Sequence, residues 1–291
     1  MQNYHSVADL VKAANSQNTT ISQLVLADQA AAMEVPEDEI LSQMKNNLEI
    51  MSRSAKEGLK PDIRSVSGLS GGDGYKMHKH AASNTIGGSF CAQAIALAIA
   101  IQEYNAAMGK IVAAPTAGAC GILPAGVLSF MEARNLPENT AIMALITAGA
   151  IGMVIANRAT ISGAQGGCQA ECGSAAAMTA GALVEMAQGS NEMVAHAVAI
   201  ALKNQLGLVC DPVAGLVEVP CIKRNAGGIM IAIGAADMAL AGIKSVIPAD
   251  EVITAMGEIG AALPSALRET AQGGLATTPT GLAIKERIFG G

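Results

Sequence analysis

Aromatic residues are scarce in this chain: they make up 2% of 291 residues, with no tryptophan. Platforms for stacking unpaired bases are therefore few, and a net charge of −6 with no dense basic run offers no stripe for a phosphate backbone. Both observations argue against nucleic-acid binding. Charged residues are also sparse at 14%, against 51% hydrophobic, which favours a large buried core over disorder. Without aromatics, core volume must come from Ala, Ile, Leu, Val and the 15 Met. Small side chains let helices approach closely and Met fills irregular gaps. A sandwich or barrel would want β-branched and aromatic strands instead.

Two further features are missing. Met1 to Asp9 carries neither a basic segment nor an apolar one, so no secretory leader is expected there. No apolar run reaches the ~20 residues that a membrane span usually needs. The best candidate, AIMALITAGAIGMVIA at 141–156, is rich in Ala and Gly and reads as a helix buried on all sides, so no membrane partner is expected. Six cysteines without an export signal argue against a disulfide framework and for a reducing, cytoplasmic setting. There they serve as small buried hydrophobes, metal ligands or nucleophiles.

What is present reads as helices punctuated by Gly-rich loops, an all-α fold. Ser6 caps a helix to about Asn15, and Thr20 or Ser22 opens the next. Pro36 precedes Glu37, Asp38 and Glu39 at a positive helix end, with Gly58 as a stop. Residues 1–60 thus form an amphipathic helical layer packed on a main domain, 61–291. In that domain, apolar helices are predicted at about 91–108, 125–134, 138–157, 168–188, 191–205, 225–243 and 248–263, with a short one in the tail. Between them lie SVSGLSGGDG at 65–74, APTAGACGILPAG at 114–126, SGAQGG at 162–167 and CDPVAGLVEVPC at 210–221. In a compact helical fold such loops can meet in one place and carry function.

Cys168, Cys210 and Cys221 each sit at a loop–helix junction beside Gly or Pro. Cys168 opens a helix, whose N-terminus favours thiolate. Thiolates on rigid loops suit an iron–sulfur cluster. On spacing alone, buried unreactive thiols are the favoured reading; a zinc site, to which Cys168 and Cys172 at i, i+4 could supply two of the four ligands, is the next alternative to a cluster. Lys223, Arg224 and Asn225 follow Cys221 directly. His78 and His80 lie on a polar stretch that reads as solvent-facing, His196 in an apolar run as a core histidine, and Glu171 beside Cys168 as either a neighbour of the site or a buried ion-pair partner.

The segments GGCQAE at 166–171, LGLVCDPVAGLVEVPCIKRNA at 206–226, APTAGACGILPAG at 114–126, SGLSGGD at 67–73 and LRETAQGGLATTPTG at 267–281 resemble the signature segments of the iron–sulfur-dependent L-serine dehydratases. The likeness runs from the N-terminal helices to the tail and fits the alpha subunit of the two-subunit type. It implies a compact helical catalytic domain whose loops converge on a 4Fe–4S cluster held by Cys168, Cys210 and Cys221. It also implies conversion of L-serine to pyruvate and ammonia, an open iron serving as Lewis acid and no pyridoxal phosphate. Some single-chain relatives place a C-terminal cysteine on the fourth iron; this chain ends KERIFGG, so either water or another small ligand sits there, the preferred reading, or Cys172 approaches it.

The loop residues supply the remaining site. Ser67, Ser70, Asp73 and Lys223 are candidates for proton transfer. Thr116, Ser162, Arg224 and Asn225 are candidates for substrate binding, with Gly71, Gly72, Gly118 and Gly167 offering backbone N–H groups. Each Ser or Thr has a helix cap as its alternative role. Cys91, Cys120 and Cys172 read as small buried residues. The resemblance further implies a separate beta subunit and a hetero-oligomer. A related L-cysteine desulfidase and a non-enzymatic cluster-containing redox sensor are the competing readings.

Overall fold

The computed structural model describes residues 4–290. Among them are thirteen α-helices and no named strand, so the fold is all-α as the composition indicates. The elements are α1 (Val7–Ser16), α2 (Ile21–Met33), α3 (Glu37–Gly58), α4 (Asp73–Ala81), α5 (Gly88–Ala106), α6 (Ile122–Arg134), α7 (Glu138–Arg158), α8 (Gly163–Gly166), α9 (Ser174–Met186), α10 (Asn191–Lys203), α11 (Cys221–Leu240), α12 (Ala249–Ala262) and α13 (Pro279–Phe289).

Local chemistry sets most helix starts. The Ser6 hydroxyl accepts the Asp9 N–H. Thr20 and Gln23 satisfy each other's backbone N–H groups in a capping box. Three acidic residues fill the first turn of α3 after Pro36, where the helix dipole favours negative charge. Ser190 and Thr278 cap α10 and α13.

At the centre lies α9, in which Ala175, Ala176, Ala177, Ala180 and Ala182 are all fully buried. It packs against α6, α7, α10 and α11, and its methyl-sized side chains are what let four helices approach one axis. The core is continuous from Val7 on α1 to Met256 on α12, so α1–α3 share it. The helix α7 is the one described helix long and apolar enough to cross a membrane; 67% of its most apolar window is buried within the molecule, against α2, α3, α6, α9 and α12.

The structure departs from the sequence reading at α4, where only a loop and a polar stretch are expected. Its N-cap, Gly72, has no side chain to offer. The first N–H groups are instead taken by Glu103, fully buried on α5, which accepts from Asp73 N and Gly74 N at 3.0 Å each. A cap supplied from another helix leaves no local mark. The start of α11 also lies at Cys221 rather than near Asn225, directly after Pro220.

Candidate active site

The four Gly-rich loops are tied together by named polar contacts. Thr116 Oγ1 donates to Glu171 Oε1 at 2.8 Å, joining the 114–121 loop to the segment after Cys168. Asn225, fully buried on α11, donates from Nδ2 to Gly118 O at 2.8 Å and accepts the Gly121 N–H at 2.9 Å. Ser67 and Ser70 donate to the two oxygens of Glu218, at 2.7 and 2.5 Å, linking the first loop to the fourth. Lys223 pairs with Asp73 at 2.5 Å.

Each of the three junction cysteines is placed by a specific local device. Gly167 turns the chain with φ 76°, and a β-carbon there would meet Leu263 at 2.7 Å and the Leu208 carbonyl oxygen at 2.9 Å; only glycine delivers Cys168 in this way. A π-helical turn, Gln169–Gly173, then leads into α9. Cys210 is pinned by the tail: its N–H donates to Leu267 O at 2.9 Å and its carbonyl accepts from Glu269 N at 2.8 Å. Cys221 is the first residue of α11. The segments also touch directly, because Gln169 N donates to Leu208 O at 2.9 Å and Arg224 Nη1 to Val209 O at 2.8 Å.

All three thiols are buried. Burial pushes the Cys210 thiol up, and the nearby Cys168 sulfur and Glu171 carboxylate push it further. The same causes raise Cys221 to about 12. Cys168 is held below the ordinary thiol range, chiefly by its hydrogen bond with Cys172, whose sulfur lies 3.3 Å away. That bond and complete burial hold Cys172 well above the range. The Arg224 cation lowers both Cys168 and Cys221. Its guanidinium is anchored by Asp211 at 2.8 Å, and Asp211 in turn accepts the Leu275 N–H at 2.7 Å.

These donors fit an iron–sulfur cluster by their chemistry. Cys210 and Cys221 are buried beside the Cys168 sulfur, which raises both, and a metal group supplies the positive charge that lets all three ionise together. Among the described residues no three His, Cys, Asp or Glu side chains are grouped to hold a metal ion. A cluster requires wider sulfur spacing than a single ion does, because its own irons and sulfides lie between the ligands.

The other sequence candidates fall into distinct settings. Gly71 (φ 133°) and Gly72 (φ 83°) form the turn into α4. Asp73 pairs with Lys76 and Lys223, which hold its carboxyl below the usual range. Arg224 and Asn225 are bonded to the protein's own groups. Ser162 precedes α8 without its side chain capping it. His78 and His80 lie exposed on α4, bonded to Gln93 and Ser83. His196 is half-buried rather than a core residue, as is Cys91. Cys120 is buried, hydrogen-bonded to Gln102 Oε1 at 3.0 Å and raised to about 12 by desolvation.

Sequence reasoning missed Glu218, Glu103 and Asp211. Each is a buried carboxylate whose partners lie far away in the chain, so the only available signal was an acidic residue inside an otherwise apolar segment.

A model of the family described as serine dehydratase alpha chain matches residues 16–276. The chain belongs to the serine dehydratase alpha-chain family. It is 50% identical over 289 residues to a probable L-serine dehydratase alpha chain of Bacillus subtilis, covering 99% of this chain and 96% of that one. It is 43% identical over 285 residues to the L-serine dehydratase alpha chain of Peptoniphilus asaccharolyticus, covering 97% of each. An L-serine dehydratase of Streptomyces coelicolor is 39% identical over 278 residues, which are 92% of this chain but 59% of that longer protein. The family match spans every loop described above.

Proposed function

We propose that this chain is the catalytic subunit of an L-serine dehydratase, a lyase that converts L-serine to pyruvate and ammonia. The observation that supports the reading is the burial of Cys168, Cys210 and Cys221 on segments that are far apart in sequence but hydrogen-bonded to one another, inside a chain that matches alpha chains of that name almost end to end.

In this reading Cys168, Cys210 and Cys221 hold a 4Fe–4S cluster, and Arg224 offsets the charge of their sulfurs from its anchor on Asp211. When bound, the cluster supplies a Lewis acid at an iron without a protein ligand. The chain's residues do the rest. Thr116 and Ser162 line the substrate's position, with the Gly71–Gly72 turn closing one side. Ser67 and Ser70, bonded to Glu218, form a route by which the Cα proton is taken up onto a buried carboxylate. Asp73 and Lys223 fix that loop against α11. Loss of the Cα proton and of the β-hydroxyl as water leaves aminoacrylate, which tautomerises to an imine and hydrolyses to pyruvate and ammonia.

Alpha-chain relatives imply a partner, and the longer Streptomyces protein carries sequence that this chain does not match. We assign that role to a separate beta subunit in a hetero-oligomer. Six free thiols suit the reducing cytoplasm.

The test is anaerobic incubation of the reconstituted chain, alone and co-expressed with its beta subunit, with L-serine or L-cysteine. Pyruvate and ammonia from serine, with turnover raised by the partner, are expected. Sulfide from cysteine without serine turnover indicates a desulfidase, and a redox-active cluster with no turnover of either indicates a sensor.

A further inference from the structure

Glu171 stands at the convergence of the loops in an unusual setting. Thr116 Oγ1 donates to its Oε1 at 2.8 Å, the one hydrogen bond to its carboxylate among the described residues. Its other oxygen, Oε2, faces two glycines. A β-carbon on Gly163 would lie 2.7 Å from Oε2, and one on Gly118 3.1 Å. The β-carbon position of Gly163 is also 3.3 Å from Cys210 Sγ. The Gly163 backbone thus packs against both the carboxylate and a proposed cluster ligand, a closeness that a side chain at residue 163 would prevent.

No Lys, Arg or His among the described residues pairs with Glu171. Arg224, the cation nearest the thiols, is bonded to Asp211 and to Val209 O. A half-buried carboxylate with no cation beside it carries part of the cost of an unpaired charge. Desolvation accordingly pushes the Glu171 carboxyl up, against the Thr116 hydrogen bond. A cation delivered by a ligand removes that cost.

The geometry points to Glu171 as the residue that receives the α-ammonium group of the substrate, with Oε2 accepting from the ammonium while Thr116 holds Oε1. The inference rests on the serine dehydratase reading and adds a determinant of specificity to it: Glu171 makes the site select amino acids over their deaminated analogues. Gly163 and Gly118 let their loops lie against Oε2 without a side chain between them and the carboxylate.

The experiment uses the reconstituted alpha–beta enzyme and compares L-serine with 3-hydroxypropionate, which keeps serine's carboxylate and β-hydroxyl and lacks the ammonium. For Glu171→Gln the KM for serine is expected to rise roughly tenfold or more, the loss typical of a charge-assisted hydrogen bond. The inhibition constant of 3-hydroxypropionate and the iron content should stay at wild-type values. Equal weakening of both ligands, no change in either, or loss of iron overturns the inference, the last by making Glu171 a metal ligand or scaffold residue. Glu171→Asp and Thr116→Val, which keep a carboxylate but misplace it, should show the same split more weakly and carry the test if Glu171→Gln does not fold. Wild-type enzyme that does not turn over serine defeats the functional reading itself; wild-type turnover with unsplit variants defeats only the role of Glu171.

Discussion

Asn225 Oδ1 accepts the Gly121 backbone N–H at 2.9 Å across 104 residues of sequence, while its Nδ2 donates to Gly118 O at 2.8 Å. One fully buried side chain therefore holds the 114–121 loop to the start of the helix that carries Cys221. Asn225→Ala leaves a donor and an acceptor unpaired in a dry interior, at about 1–3 kcal/mol each. The expected outcome is a lower urea midpoint, a loss of roughly 2–6 kcal/mol by the same accounting. An unchanged midpoint would show that the loop is held by something else.

Glu218 gathers the hydroxyls of Ser67 and Ser70. Glu218→Ala releases both at once and detaches the 65–72 loop from the 210–221 loop. Amide exchange in residues 65–70 should rise and kcat should fall by about 10²-fold or more, the range for a lost proton-transfer group. Iron content should hold. Full activity with a freely exchanging loop would remove Glu218, Ser67 and Ser70 from the chemistry.

Far from the site, Glu185 on α9 is half-buried between Ser22 of α2 and Thr147 of α7, both of which donate to it. Desolvation raises its pKa above the ordinary 4.5 despite those bonds. A carboxyl whose native pKa is raised binds its proton more readily when folded. Its favourable contribution is complete below the unfolded value and is lost as pH rises through the native one. Glu185→Gln keeps the hydrogen-bonding shape without the titration. Its stability should decline less than that of wild type as pH rises above 4.5, read from urea midpoints at a series of pH values. Parallel curves would contradict this assignment.

The fold was legible where its causes are local. Ser6, Thr20 and the acidic turn after Pro36 announce their helices within four residues, and the Ala- and Met-rich runs announce helices buried on all sides. The start of α4 was not legible, because Glu103 on another helix provides its cap. The π-helical turn after Cys168 has no periodicity of its own to read. In the site, the three junction cysteines and the loops that carry them could be named from glycine, proline and resemblance. The carboxylates that bind those loops together could not, since Glu218 and Asp211 take their roles from partners brought near only by folding. Arg224 and Asn225 were visible as candidates, but not their commitment to Asp211, Val209, Gly118 and Gly121.

The cluster assignment is most directly tested by anaerobic reconstitution with iron and sulfide of wild type and of Cys168→Ala, Cys210→Ala, Cys221→Ala and Cys172→Ala, followed by iron and acid-labile sulfide determination. Each of the first three variants should lose most of the bound iron and sulfide together with serine turnover, whereas Cys172→Ala should retain its iron. Retention of a full cluster by any of the three, or its loss from Cys172→Ala alone, would contradict the ligand set.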